Sequence, residues 1–89
     1  MRVEWRPEAR AELRAILEYI IERNVAAAND LNEAIEAATT ALPDHPLLYR
    51  IGRVPGTREI VVHPNYLVVY RISDWIEVVT VLHARQKYP

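Results

Sequence analysis

The sequence has 89 residues, of which 51% are hydrophobic and 26% are charged, with no cysteine and a formal net charge of −1. This length predicts one domain, covering residues 1–89, and the composition excludes an intrinsically disordered chain. The missing cysteines exclude a disulfide framework, a thiolate zinc site and a cysteine nucleophile, and the balanced charge argues against a dedicated nucleic-acid binder.

No stretch of the sequence reaches the roughly 18 apolar residues that a membrane-spanning helix needs. The opening residues, Met1-Arg2-Val3-Glu4-Trp5, are charged and lack the apolar centre of a secretory signal. We therefore expect a soluble, cytoplasmic protein that has no membrane partner.

The first half of the sequence predicts a short strand followed by two helices. Residues 2–5 fit the strand, and Pro7 suits the first turn of a helix. Two amphipathic patterns follow, separated by a break at Arg23-Asn24, and Pro43 ends the second pattern. A break this short predicts an antiparallel helical hairpin. The apolar residues of the two patterns are Ala9, Leu13, Ile16, Leu17, Ile20 and Ile21, and then Ala28, Leu31, Ile35, Ala38 and Leu42.

The second half predicts a loop and three strands. Proline and glycine residues punctuate residues 43–57, which we expect to form a loop that packs back on the domain. Runs rich in β-branched and aromatic residues cover 57–63, 66–72 and 75–83, and the short turns between them require antiparallel pairing. The sequence thus predicts an α+β fold, β-α-α-β-β-β, with a helical hairpin packed on one face of a twisted antiparallel sheet.

Charge is divided unevenly between the two halves. Residues 1–44 contain 5 basic and 9 acidic residues, whereas residues 45–89 contain 6 basic and 3 acidic residues. Two interpretations stay open: solvated helix faces beside a few strand arginines, or a basic functional face on the sheet half.

The sequence contains no glycine-rich phosphate loop, no paired-histidine helix motif and no nucleophile elbow. Its histidines, His45, His63 and His83, are far apart, so we expect no metal site and no cofactor. RNA cleavage needs less, because the substrate's own 2′-hydroxyl is the nucleophile and the protein supplies an acid, a base and a cation. Candidates for these roles, or for plain surface charge, are Arg53, Arg58, Arg71, His83, Arg85, Lys87 and Tyr88.

Five segments resemble, in their order and spacing, the RelE/ParE superfamily of toxins from type II toxin–antitoxin systems. The segments are Val3-Glu4-Trp5-Arg6-Pro7-Glu8-Ala9, Ala41-Leu42-Pro43-Asp44-His45-Pro46, Gly52-Arg53-Val54-Pro55-Gly56-Thr57-Arg58-Glu59, Asn65-Tyr66-Leu67-Val68-Val69-Tyr70-Arg71 and Val81-Leu82-His83-Ala84-Arg85. The resemblance covers nearly the whole chain and implies the fold described above. It also implies a cognate, ParD-like antitoxin whose C-terminal segment covers surfaces of the hairpin and the sheet.

The superfamily divides by target: RelE-like members cleave mRNA in the ribosomal A site, whereas ParE-like members inhibit DNA gyrase. Where the RelE-like pattern has an arginine in the central strand, this sequence has Leu67, and Tyr88 follows Arg85 more closely than in that pattern. A net charge of −1 also suits a ribosomal RNA binder poorly. The resemblance therefore favours a ParE-like, growth-arresting gyrase inhibitor without catalytic residues. The expected target-binding residues are Arg53, Arg58, Arg71, Arg85, Lys87 and Tyr88.

The alternative is a ribosome-dependent mRNA endoribonuclease of the RelE type. In that case His83 or Tyr88 would transfer protons, while Arg58 and Arg85 would stabilise the transition state. A third possibility is a toxin that has lost its activity and survives as an antitoxin-binding corepressor.

Overall fold

A computed structural model describes residues 1–86 of the chain. The elements in chain order are β1 (Val3–Trp5), α1 (Pro7–Ile21), α2 (Val25–Ala41), a short 3₁₀ turn (Leu42–Asp44), β2 (Arg50–Ile51), β3 (Thr57–His63), β4 (Tyr66–Ile72) and β5 (Ile76–His83). Neither α1 nor α2 is both long and apolar enough to span a membrane.

The helical hairpin forms where local sequence signals place it. Pro7 occupies the first turn of α1, and Glu8 in the same turn complements the helix dipole. Asn24 caps α2, because its side-chain oxygen accepts a hydrogen bond from the Ala27 amide at 3.0 Å. The Asn24 amide also donates to the Ile20 carbonyl at 2.8 Å, so one residue closes the first helix and starts the second. The predicted hairpin is confirmed.

The sheet has five strands in the order β1-β5-β4-β3-β2. The antiparallel pairing of β3, β4 and β5, with β4 central, is confirmed. β1 differs from the wholly antiparallel expectation, since it pairs in parallel with β5, at Val3↔Ile76. The hairpin between them is a long enough crossover to return the chain in the same direction. The expected loop over 43–57 also contains β2, whose two residues are too few to give a periodic signal.

The hairpin covers one face of the sheet, and we call the other the open face. On the helix side, Val68 and Tyr70 of β4 pack with Ile35 of α2 in the main core. On the open face, Leu67 and Val69 of β4 form a smaller cluster with β5. This alternation follows from the two-residue side-chain period of a strand. The described side chains of the open-face cluster are Leu67, Val69, Val79, Leu82 and Ala84.

Residues 45–51, which we call the strap loop, are tied to the helix-side face. The hydroxyl of buried Tyr70 donates to the Pro46 carbonyl at 2.6 Å, and Arg58 donates to the Tyr49 carbonyl at 2.7 Å. Burial raises the pKa of Tyr70, an effect that the nearby Arg58 charge partly opposes and Tyr49 reinforces. The expectation that this loop packs back on the rest of the chain is confirmed.

Candidate functional site

The open face forms the floor of a cleft with a volume of about 530 Å³. Val69, Val79 and Leu82 give the cleft an apolar centre. Polar side chains surround this centre and come from four different secondary-structure elements and the segments beside them. They are Arg6, Glu12, Thr57, Arg71, Thr80 and Gln86. An apolar floor with a mixed-charge rim suits a ligand that has both apolar and charged groups.

A β-bulge in β5 shapes one wall of the cleft. The register between β4 and β5 shifts beside Val69, so that Val79 is an extra residue in β5. A bulge interrupts the ladder of backbone hydrogen bonds, and Glu12 of α1 supplies an acceptor at this point. Its carboxylate accepts from the Thr80 hydroxyl at 2.8 Å and from the Val81 amide at 3.4 Å. Glu12 therefore fastens α1 to the bulged strand beside the cleft.

Arg71 is half-buried on the cleft side of β4. Its cross-strand neighbours on the open face are Thr57 of β3 and Glu77 of β5. The Glu77 carboxylate is already paired, at 3.1 Å, with the Arg6 guanidinium. Within residues 1–86, the Arg71 guanidinium makes no hydrogen bond or ion pair. Arg71 is thus available to bind an anionic group that enters the cleft.

A buried carboxylate holds the opposite wall of the cleft. Glu59 of β3 is only 7% exposed. It accepts from the Arg50 guanidinium at 3.0 Å and from the Arg53 amide at 3.2 Å. Gly52 lies between these two residues and packs so closely on Thr57 that a Cβ atom would collide with the threonine. Glu59 and Gly52 together fix the loop that leads into β3.

The family model of the ParE toxin of the type II toxin–antitoxin system, parDE, matches residues 3–88. The chain belongs to the ParE toxin family. It is also 37% identical, over 99% of its length and 93% of the relative's, to a Sinorhizobium fredii protein named "Putative toxin Y4kP". The expected membership of the RelE/ParE superfamily is confirmed.

Solved structures share the fold of this ParE-family toxin. The chromosomal ParDE toxin–antitoxin system from P. aeruginosa contains a chain that superposes with a TM-score of 0.82 at 19% identity, covering 93% of this toxin and 95% of that chain. YafQ from E. coli strain BL21(DE3) superposes with a TM-score of 0.68 at 11% identity, covering 93% of this toxin and 92% of YafQ. At these identities the likeness establishes the fold alone.

The six residues expected to bind a target do not all lie in one place in the toxin. Arg71 lines the cleft, and Arg53 adjoins it through its neighbour Val54. Arg85 is exposed in the turn after β5, next to the cleft residue Gln86. Arg58 lies on the helix-side face, where it holds the strap loop. Lys87 and Tyr88 lie outside the described residues.

The residues considered for a RelE-type reaction are also spread apart. His83 stands opposite Tyr66 at one end of β4, whereas Arg58 stands opposite Tyr70, four residues along. That spacing is about 13 Å along the strand. The Nδ1 atom of His83 accepts a hydrogen bond from the Arg85 amide at 3.1 Å. Among the described residues, no group of three or more His, Asp or Glu side chains is placed to hold a metal ion.

Sequence reasoning missed Arg6 and Glu12 as cleft residues. Arg6 reaches the cleft because β1 runs parallel to β5, a pairing that joins the two ends of the chain. Glu12 stands on α1 among other charged residues, and only its contact with the bulge distinguishes it. The one local signal was Trp5-Arg6-Pro7, where an arginine lies between a strand and a helix.

Proposed function

We propose that this toxin inhibits DNA gyrase in the cytoplasm as a binding protein, without catalysing a reaction, and that a ParD-like antitoxin neutralises it. We take residues 1–89 as one toxin domain. Membership of the ParE family supports this proposal, and so does the chemistry of the open face.

The apolar centre of the open face is the observation that carries the proposal. Leu67 is 4% exposed and packs with Val69 and Leu82. The RelE-like pattern places an arginine at the Leu67 position, where its charge would meet a scissile phosphate. A buried leucine offers no such charge, so this face is better suited to binding than to phosphoryl chemistry.

The proposed gyrase-binding surface consists of Arg71 in the cleft, together with Arg53 and Arg85 beside it. Lys87 and Tyr88 belong to the proposal because they follow Gln86, which lines the cleft. Arg58 contributes indirectly, because its hydrogen bonds hold the strap loop in place.

One contact favours the RelE-type alternative. In the turn after β5 the Arg85 backbone amide donates to His83 Nδ1 at 3.1 Å, which orients the His83 ring beside a residue that carries a cation. In that alternative the pair, with Tyr88, would act on mRNA in the ribosome.

The test is a gyrase supercoiling assay with purified toxin whose fold is verified by circular dichroism. We expect loss of supercoiling, or accumulation of linear cleaved DNA, reversed by the antitoxin. Arg71→Gln should weaken the inhibition. The matched control is Arg2→Gln, which removes an arginine that is 62% exposed on the far edge of the sheet.

Unchanged supercoiling by a folded, growth-arresting toxin would contradict the proposal. Codon-positioned cuts in mRNA on induction would then assign the RelE-type activity. A folded protein that binds the antitoxin and arrests nothing would assign the corepressor role.

A further inference from the structure

We propose that the cleft around Arg71 binds an extended segment of the antitoxin that carries a carboxylate side chain two residues from an aliphatic one. The inference rests on the proposed neutralisation of the toxin by an antitoxin. It adds the chemistry of the segment and the toxin residue that recognises it.

The first observation is that the Arg71 guanidinium has no hydrogen-bond or ion-pair partner among the described residues 1–86. Arg71 is half-buried, yet the carboxylate nearest to it in the sheet register, that of Glu77, is paired with Arg6. A guanidinium that has lost part of its hydration gains most from an anion that it can bind through two parallel hydrogen bonds. The planar carboxylate of an aspartate or glutamate has this geometry.

The charge balance of the cleft favours one carboxylate over a nucleic-acid backbone. Arg6 is paired with Glu77, and Glu12 adds a negative charge to the lining, so Arg71 is the one lining cation within residues 1–86 that has no ionic partner. A nucleic acid brings one negative charge with every phosphate and needs a run of cations to neutralise them. A peptide with a single acidic side chain needs only Arg71.

The apolar floor specifies the second group of the segment. Arg71 and Val69 lie two residues apart on β4, and both face the cleft. In an extended peptide, side chains at positions i and i+2 also share a face and lie about 6.6 Å apart. A strand laid along β4 can therefore place its carboxylate on Arg71 and an aliphatic side chain over Val69, Val79 and Leu82.

The polar rim can satisfy the backbone of such a strand. The half-buried Thr80 hydroxyl donates to Glu12 at 2.8 Å. Its oxygen keeps lone pairs that can accept a peptide N–H. The amide of exposed Gln86 offers a donor and an acceptor at the edge of the cleft.

The experiment measures binding of overlapping 12-residue peptides, tiled along the cognate antitoxin, to the full-length toxin by isothermal titration calorimetry. Each binding peptide is compared with a version in which its Asp or Glu is replaced by Asn or Gln. The toxin is tested as wild type, as Arg71→Gln and as the control Arg2→Gln. Circular dichroism first shows that each of the three is folded.

We expect one peptide whose affinity falls about 10- to 100-fold on Arg71→Gln, the range of a charge-assisted hydrogen bond. The matching acid-to-amide change should cause a similar loss, and the two changes together should cost little more than either alone. Arg2→Gln should leave the affinity unchanged. Replacing the peptide's aliphatic residue at i+2 or i−2 by serine should weaken binding further.

Additive losses in the double-mutant cycle would overturn the proposal, because they show that Arg71 and the carboxylate do not meet. It would also be overturned by tighter, Arg71-dependent binding of a 12-nucleotide DNA or RNA, or by antitoxin peptides that all bind regardless of Arg71. The supercoiling assay separates this inference from the proposed target. If Arg71 and the peptide carboxylate are coupled but the toxin does not inhibit gyrase, only the gyrase proposal is contradicted. If the toxin inhibits gyrase but the two changes are additive, only this inference is contradicted.

Discussion

The two faces of the sheet use similar residues for different purposes. On the helix-side face, Arg58 and Tyr70 hold the strap loop through hydrogen bonds to backbone carbonyls. On the open face, Arg71 makes no hydrogen bond or ion pair within residues 1–86. Arg58 lies opposite Tyr70, and Arg71 is the next residue of β4. Because side chains alternate between the faces of a strand, Arg58 lies with its cross-strand partner Tyr70 on the helix side, whereas Arg71 lies on the open face.

The largest expected effect of a single change lies on the helix-side face. Tyr70→Ala should lower the free energy of unfolding by about 3–5 kcal/mol, because it opens a cavity in the main core and frees the strap loop. Urea denaturation followed by circular dichroism measures this. The open-face control Val61→Ala, at a residue that is 52% exposed, should change stability by less than about 0.5 kcal/mol. Equal losses of unfolding free energy on Tyr70→Ala and Val61→Ala would contradict the assignment of these residues to the two faces.

Glu12 connects the two faces, and its removal should have the next largest effect. Glu12→Ala should cost about 1.5–3 kcal/mol, since the Thr80 hydroxyl and the Val81 amide lose a charged acceptor at the bulge. Hydrogen exchange at the Val81 amide should accelerate by more than exchange at the strand amides far from the bulge. Glu8→Ala, in the exposed first turn of the same helix, is the control. An unchanged Val81 exchange rate would show that Glu12 does not support the bulge.

The two neighbouring arginines give the most direct test of the comparison. Arg58→Met should lower the free energy of unfolding by about 1–2 kcal/mol, because the strap loop loses its hydrogen bonds to that guanidinium. Arg71→Met should change it by less than about 0.5 kcal/mol, because no hydrogen bond or ion pair within residues 1–86 is lost and methionine keeps most of the apolar stem. The affinity for the antitoxin should fall more on Arg71→Met than on Arg58→Met. The comparison fails if Arg71→Met is the more destabilising change.

The smallest effect is a pH dependence that belongs to Tyr70. Burial raises the pKa of Tyr70 above its ordinary value of 10.0. The unfolded chain therefore releases this proton at a lower pH than the folded chain does, so stability is retained below pH 10 and falls as the pH rises through the folded-state pKa. By pH 10.5 the loss should be up to about 1 kcal/mol. Tyr70→Phe should remove this part of the decline, and the exposed control Tyr19→Phe should not.

The fold was largely predictable from the sequence because its strongest signals are local. The helical periodicity, the Asn24 cap and the short turns between β3, β4 and β5 each act over a few residues. The two-residue strand β2 and the parallel pairing of β1 were missed, since neither leaves a periodic pattern in so short a stretch.

The candidate site was less predictable than the fold. Arg71 was singled out by its type and its half of the chain, and the cleft contains it. Arg58 was singled out on the same grounds, although its guanidinium holds the strap loop. Glu59 resembles any strand carboxylate in the sequence, and only the tertiary structure pairs it with Arg50 and the Arg53 amide.

The sequence by itself determined the hairpin, the three central strands and membership of the toxin family, because each depends on residue order along a continuous stretch. Only the tertiary structure decided which charges meet. Arg6 and Glu12 reach the cleft through a parallel pairing and a bulge that join opposite ends of the chain. Whether an arginine binds a partner or supports the fold depends on a register set by long-range packing of side chains, and the local sequence carries no record of that register.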